Sequence, residues 1–139
     1  MTLYQLDTFS DTMKGKLTAA ITDAQAIITA AGNARTDATT ARQKAGAVSQ
    51  NLRQDAEELA TKAEGLASVA EDYMGHAAQH LKLLREKVEE SEDVTEESEQ
   101  EEADTLGGEI NEQVAWFRQT RTKVEGYASS VKEALNTIP

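Results

Sequence analysis

Two histidines have the spacing of a metal-binding pair. His76 and His80 lie four residues apart, and Asp72 precedes them by one further helical turn. On a helix this spacing places the three side chains on one face, where imidazole and carboxylate groups can share a metal ion. The chain has no cysteine and no other histidine. The same residues also fit a plainer interpretation, polar side chains beside an apolar helix face, and we expect no bound metal or other cofactor.

An acidic run is the second candidate for chemistry. Ten of the sixteen residues from Glu89 to Asp104 are acidic, and the chain as a whole has a formal charge of −11. Repulsion among carboxylates and the lack of apolar residues predict a solvated loop over residues 89–108. The run could also bind divalent cations or a basic partner, or imitate nucleic-acid phosphates. Direct binding to nucleic acid or to an anionic membrane is disfavoured by the charge.

The only tryptophan forms an aromatic pair, Trp116-Phe117. In a helix one of the two must lie near the apolar face and the other can flank it, so Trp116 is a candidate anchor for a partner as well as a core residue. The sequence has no Ser/His/Asp set, no glycine-rich phosphate loop and no pair of carboxylates spaced for catalysis. These observations favour a protein that is not an enzyme.

The elements that position these residues are predicted to be helices. The chain of 139 residues has one proline, at its last position, and is rich in Ala, Glu, Gln, Lys, Leu and Thr. This composition favours an all-α fold in a single domain over residues 1–139. The apolar periodicity predicts helices at about residues 3–45, 47–88 and 109–137. Gly32-Asn33 is the stronger turn dipeptide, but a turn at Gly46 gives two arms of nearly equal length, and we favour it.

An alanine-rich seam runs from residue 31 to residue 66. Its members recur every three or four residues, as on one helix face, and folding the chain at Gly46 makes them two facing arms. No aromatic residue lies between residues 28 and 66, and the third helix matches only residues 3–31 in length. We therefore predict an antiparallel bundle of three long helices from which a two-helix, alanine-rich coiled-coil hairpin projects. The seam consists of Ala31, Ala34, Ala38, Ala41, Ala45, Val48, Leu52, Ala56, Leu59, Ala63 and Leu66.

Three functions fit this prediction. The first is a non-enzymatic helical module for protein interaction or assembly, an adaptor or structural component of a larger complex or particle, which binds a protein partner or a second copy of the chain. This function is favoured because a thin alanine tip buries little apolar area by itself. A partner that covered the tip would bury much additional apolar area. The predicted partner-binding residues are Ala38, Ala41, Ala45, Gly46, Val48, Leu52 and Trp116.

The second function is a small acidic inhibitor that blocks a basic nucleic-acid-binding site on another protein. The third is reversible lipid binding by amphipathic helices, which the negative charge and the few large apolar residues disfavour. The first residues lack a basic and apolar signal sequence, and no apolar run approaches the roughly 20 residues that span a bilayer. We expect a cytoplasmic protein, with signal-less export or a place in a phage or secretion particle as alternatives.

Overall fold

The computed structural model of the chain describes residues 3–95 and 100–139, with side chains from residue 8 onward. It contains three helices, α1 (Leu3–Ala47), α2 (Gln50–Glu92) and α3 (Gln100–Thr137). Hydrogen bonds join α1 to α2, α1 to α3 and α2 to α3. The chain is therefore an all-α three-helix bundle in which each helix contacts the other two, and the predicted fold class is confirmed at this level.

The contacts divide the chain into two compact units. The first unit comprises Met1–Ala24 and Ala77–Gln119, and the second comprises Gln25–His76 and Thr120–Pro139. Each helix contributes one segment to each unit. The single domain over residues 1–139 stays a prediction.

The core of the second unit combines small side chains from two helices with large ones from the third. α3 contributes Val124 and Val131, and Ile138 follows the end of α3; all three are almost completely buried. Opposite them, α1 and α2 bury alanine almost exclusively, because methyl side chains allow two helices to pack closely while larger residues from a third helix fill the remaining space. The alanines with less than 2% exposure are Ala31, Ala34, Ala38, Ala41, Ala45, Ala56, Ala60, Ala63, Ala67 and Ala70.

The core of the first unit contains larger side chains. Phe117 and Ile110 of α3 and Leu84 of α2 are fully buried, and Met13 of α1 is 4% exposed. On the surface of this unit, the Nζ atom of Lys14 lies 3.1 Å from a carboxylate oxygen of Glu92.

The buried face of α2 differs from the predicted one. The seam assigned Leu52 and Leu66 to this face, but Leu52 is 39% exposed and Leu66 is half-buried. Ala60 and Ala67 are buried instead. Because α3 packs beside α2, the position of closest helix contact falls on alanine, and the leucines flank it.

The turn between α1 and α2 is formed by Val48 and Ser49, and α1 continues through Gly32 and ends at Ala47. Gly46 is not a left-handed helix cap, since no described glycine has a positive φ. The guanidinium of Arg53 instead donates to the carbonyl oxygens of Gly46 at 3.4 Å and Val48 at 3.1 Å. A side chain from α2 thus binds carbonyls that the end of α1 leaves without intrahelical partners.

The structure does not show the predicted projecting hairpin. Within the second unit, α3 accompanies α1 towards its last turn, where the Nζ atom of Lys44 donates to the carbonyl oxygen of Leu135 at 3.3 Å. The length comparison failed because α3 begins nine residues earlier than predicted and also because its apolar positions continue to Ile138.

The predicted acidic loop over residues 89–108 is largely helical. Glu89–Glu92 belong to α2, and the chain from Gln100 to Gly108 belongs to α3; residues 96–99 lie outside the described residues. Ala103 and Leu106 are buried at helical spacing from Ile110, and this extension of the apolar face was overlooked among the carboxylates. Glu101 and Glu102 occupy the first turn of α3, where the helix dipole favours negative charge.

A larger side chain at Ala60 should destabilise the fold. Ala60 of α2 has no exposed surface, so the Ala60→Leu substitution adds volume to a filled core. Overpacking of this kind lowers the free energy of unfolding by about 1–3 kcal/mol. The Ala78→Leu substitution, on the exposed face of the same helix, should change the free energy of unfolding by less than about 0.5 kcal/mol. Urea unfolding followed by circular dichroism measures both, and equal effects would contradict the close packing of the alanine faces.

Candidate interaction surfaces

His80 is held between α2 and α3 in the first unit. Its ring stacks on the indole of Trp116, with centroids 3.8 Å apart and planes 15° from parallel, and Phe117 meets the indole edge-on at 5.1 Å. The Nδ1 atom of His80 lies 2.7 Å from the Oε1 atom of Gln113. If that amide oxygen accepts, Nδ1 carries the proton. These contacts give His80 a structural role between the two helices.

The candidate metal ligands Asp72, His76 and His80 differ in their surroundings. Asp72 and His76 are exposed, whereas His80 is half-buried against Trp116. Among residues 3–95 and 100–139, no group of three or more histidine, cysteine, aspartate or glutamate side chains is placed to hold a metal ion. The spacing of the histidines is thus accounted for by one stacked ring and one solvated ring.

The predicted partner-binding residues fall into two classes. Ala38, Ala41 and Ala45 have no exposed surface, so in this conformation they pack inside the bundle. Gly46 and Leu52 are exposed, and Val48 and Trp116 are half-buried. The accessible members near the turn lie in residues 46–54, which we call the turn surface.

Two arginines join α1 to α2 in the same way, one heptad apart. Arg35 donates through Nε to Glu71 at 2.9 Å and through Nη2 to the hydroxyl of Ser68 at 3.1 Å. Arg42 donates to Glu64 at 2.8 Å and to the hydroxyl of Thr61 at 3.0 Å. Sequence reasoning missed these arginine clamps, although both partners recur at intervals of seven.

The clamps define the antiparallel register more than they stabilise it. Their side chains are about two-fifths exposed, and exposed ion pairs contribute about 0.2–1 kcal/mol each. A slip of one helix by a single residue would separate both arginines from both carboxylates.

The second unit has an aromatic contact between α2 and α3. The rings of Tyr73 and Tyr127 lie 6.2 Å apart and nearly parallel, and the Nζ atom of Lys123 lies 5.8 Å from the centroid of Tyr73. This arrangement is a cation–π contact beside a stacked pair, and both tyrosines are half-buried.

A depression of about 350 Å³ lies among the carboxylates of the first unit. Close by, the Nζ atom of Lys87 donates to Glu109 at 2.7 Å. The hydrogen bond with Glu109 raises the pKa of Lys87 above its usual 10.5; burial opposes this increase, and the negative charges of Glu109, Glu90 and Glu86 add to it. The depression is lined by Glu90, Glu101, Glu102, Thr105, Leu106 and Glu109.

The chain matches no protein-family model, no curated protein and no solved structure. Within the described part of the chain, no helix has both the length and the apolar character needed to cross a bilayer. The functional argument therefore rests on the surfaces described above.

Removal of the His80 ring should be visible in the fluorescence of the single tryptophan. The His80→Ala substitution uncovers one face of Trp116, so we expect emission at longer wavelength and a loss of about 0.5–1.5 kcal/mol in stability. The His76→Ala substitution, at an exposed position, should change neither the emission wavelength nor the stability. Identical spectra for the wild type and His80→Ala would show that the two rings do not stack in solution.

The Lys87–Glu109 pair should stabilise the fold until the solution becomes strongly alkaline. The folded-state pKa of Lys87 is raised, so the contribution is complete below the usual value of 10.5 and is lost as the pH rises through the folded-state value. The wild type should be more stable than Lys87→Gln by up to about 1 kcal/mol at pH 8. Thermal unfolding of both proteins between pH 8 and pH 12 measures the difference, and a difference that grows with pH would contradict this assignment.

Proposed function

We propose that this chain is a non-enzymatic helical module that acts by binding a protein partner or a second copy of itself. The observation that carries the proposal is the turn surface, where Leu52 is 39% exposed and its neighbour in the chain, Arg53, binds the carbonyl oxygens of Gly46 and Val48. An apolar side chain flanked by a cation is a common composition for the contact residues of protein interfaces.

The placement of the other chemically active side chains supports the same function. His80 is stacked against Trp116, Lys87 is paired with Glu109, and Arg35 and Arg42 hold α1 against α2. These groups serve contacts between helices, and the three-helix bundle presents the turn surface on a fixed scaffold.

A second candidate function is an acidic inhibitor of a basic nucleic-acid-binding site. It is favoured by the helical placement of carboxylates that were predicted to lie in a loop. Glu90, Glu101, Glu102 and Glu109 line one depression, and carboxylates held on helices lose less conformational freedom on binding a basic surface than carboxylates of a flexible chain.

The first test is affinity capture with the full chain as bait in a lysate of its source cells, together with sedimentation of the pure protein. We expect a stoichiometric polypeptide partner or self-association, weakened at least about tenfold by Leu52→Asp, which leaves a charge in the interface. The matched control is Val69→Asp, because Val69 is also 39% exposed. A protein that captures no polypeptide and sediments as a monomer would contradict the proposal.

The same experiment distinguishes the second candidate. A basic partner bound through the carboxylates should be released at about 0.5 M salt, where exposed charges are screened. Its capture should be lost with Glu101→Lys and Glu102→Lys and kept with Leu52→Asp.

A further inference from the structure

We infer that the turn surface of one copy docks on the acidic surface of a second copy. The acidic surface comprises exposed carboxylates at the end of α2 and the start of α3 in the first unit. This inference rests on the proposed function and names the partner. The carboxylates are those of Glu86, Glu89, Glu90, Glu101, Glu102 and Asp104.

The turn surface lies in the longest positively charged part of an acidic chain. No acidic residue occurs between Asp37 and Asp55, although the chain has 25 of them. In this stretch Lys44 and Arg53 donate to backbone carbonyl oxygens rather than to carboxylates. Their positive charges therefore remain available to an acidic partner, whereas that of Arg42 is balanced by Glu64.

The acidic surface offers the complementary charge and an apolar contact. Lys87 and Lys14 balance Glu109 and Glu92 respectively. The six carboxylates of the acidic surface are exposed to solvent. Leu106 is only 8% exposed, but its exposed part lines the depression among these carboxylates. The volume of the depression, about 350 Å³, leaves room for an apolar side chain such as that of Leu52.

The two surfaces belong to different parts of the chain, so each copy carries one of each. Such a contact is heterologous, and copies joined by it either close into a ring or continue as a chain. Two copies of net charge −11 also repel each other over long distances. At about 0.15 M salt the screening length is about 8 Å, which weakens that repulsion more than contacts between touching charges. Association is therefore expected at this salt concentration rather than in very dilute buffer.

Two pairs of substitutions each change the charge of one surface without weakening the fold: the turn surface, whose one charged residue is Arg53, changes from +1 to −1, and the acidic surface changes from −6 to −2. Gln50→Glu with Gln54→Glu places carboxylates in the exposed first turns of α2, where the helix dipole favours them. Glu89→Lys with Glu90→Lys places cations in the last turn of the same helix, where the dipole favours positive charge. Gln25→Glu with Gln119→Glu is the control for the turn-surface pair, because it adds the same two negative charges at exposed positions outside both surfaces.

Sedimentation velocity at about 0.15 M salt measures the outcome. We expect each of the two altered proteins to self-associate at least about tenfold more weakly than the wild type, and the control to associate like the wild type. An equimolar mixture of the two altered proteins retains the native turn surface of one protein and the native acidic surface of the other, and should associate more strongly than either altered protein alone. Thermal unfolding of all four proteins verifies that the folds are intact.

The inference is overturned if the wild type stays monomeric. It is also overturned if the wild type self-associates and neither pair of substitutions weakens that association more than the control does. If a monomeric wild type still captures another polypeptide in a manner sensitive to Leu52→Asp, the proposed function stands and only the second copy is excluded as partner. If the monomeric wild type captures no polypeptide, both this inference and the proposed function fail.

Discussion

The packing of alanine against alanine in the second unit is the constraint on which the rest of the structure depends. Where α1 and α2 meet, almost every buried side chain is a methyl group, so the two helices alone bury little apolar area. Val124 and Val131 of α3, with Ile138 just after it, supply the larger surfaces that this interface lacks. For this reason α3 has to accompany the two alanine faces, and a free two-helix hairpin would have almost no core.

Charges at the helix ends connect stability with the proposed surfaces. Arg53 binds carbonyl oxygens at the end of α1, Lys44 binds a carbonyl oxygen near the end of α3, and Glu101 and Glu102 lie in the first turn of α3. Each charge is of the sign that the adjacent helix terminus favours. Arg53 belongs to the turn surface, and Glu101 and Glu102 belong to the acidic surface, so these residues contribute both to the helix ends and to the charge complementarity of the proposed contact.

Several polar and aromatic side chains of the bundle serve mainly to join helices. His80 lies against Trp116, and Arg35 and Arg42 repeat one polar contact seven residues apart. The surfaces proposed for a partner are the turn surface, with the exposed Leu52, and the exposed carboxylates of the acidic surface. This division of roles is the physical basis for proposing a binding module.

The sequence by itself determined the all-α class and the three helices, because composition and a repeat of three to four residues depend only on local order. For the first turn it left Gly32-Asn33 and Gly46 as alternatives, and the nearly equal lengths of the two arms favoured Gly46, close to the observed turn at Val48 and Ser49. It could not determine which face of α2 is buried, since Leu52 and Ala60 are both compatible with a helical stripe and only the position of α3 decides between them. It also could not show that Ala103 and Leu106 extend α3 through the acidic run, or that Arg53 rather than Gly46 binds the end of α1. Those outcomes depend on contacts between residues that are distant in the sequence, and only the tertiary structure contains them.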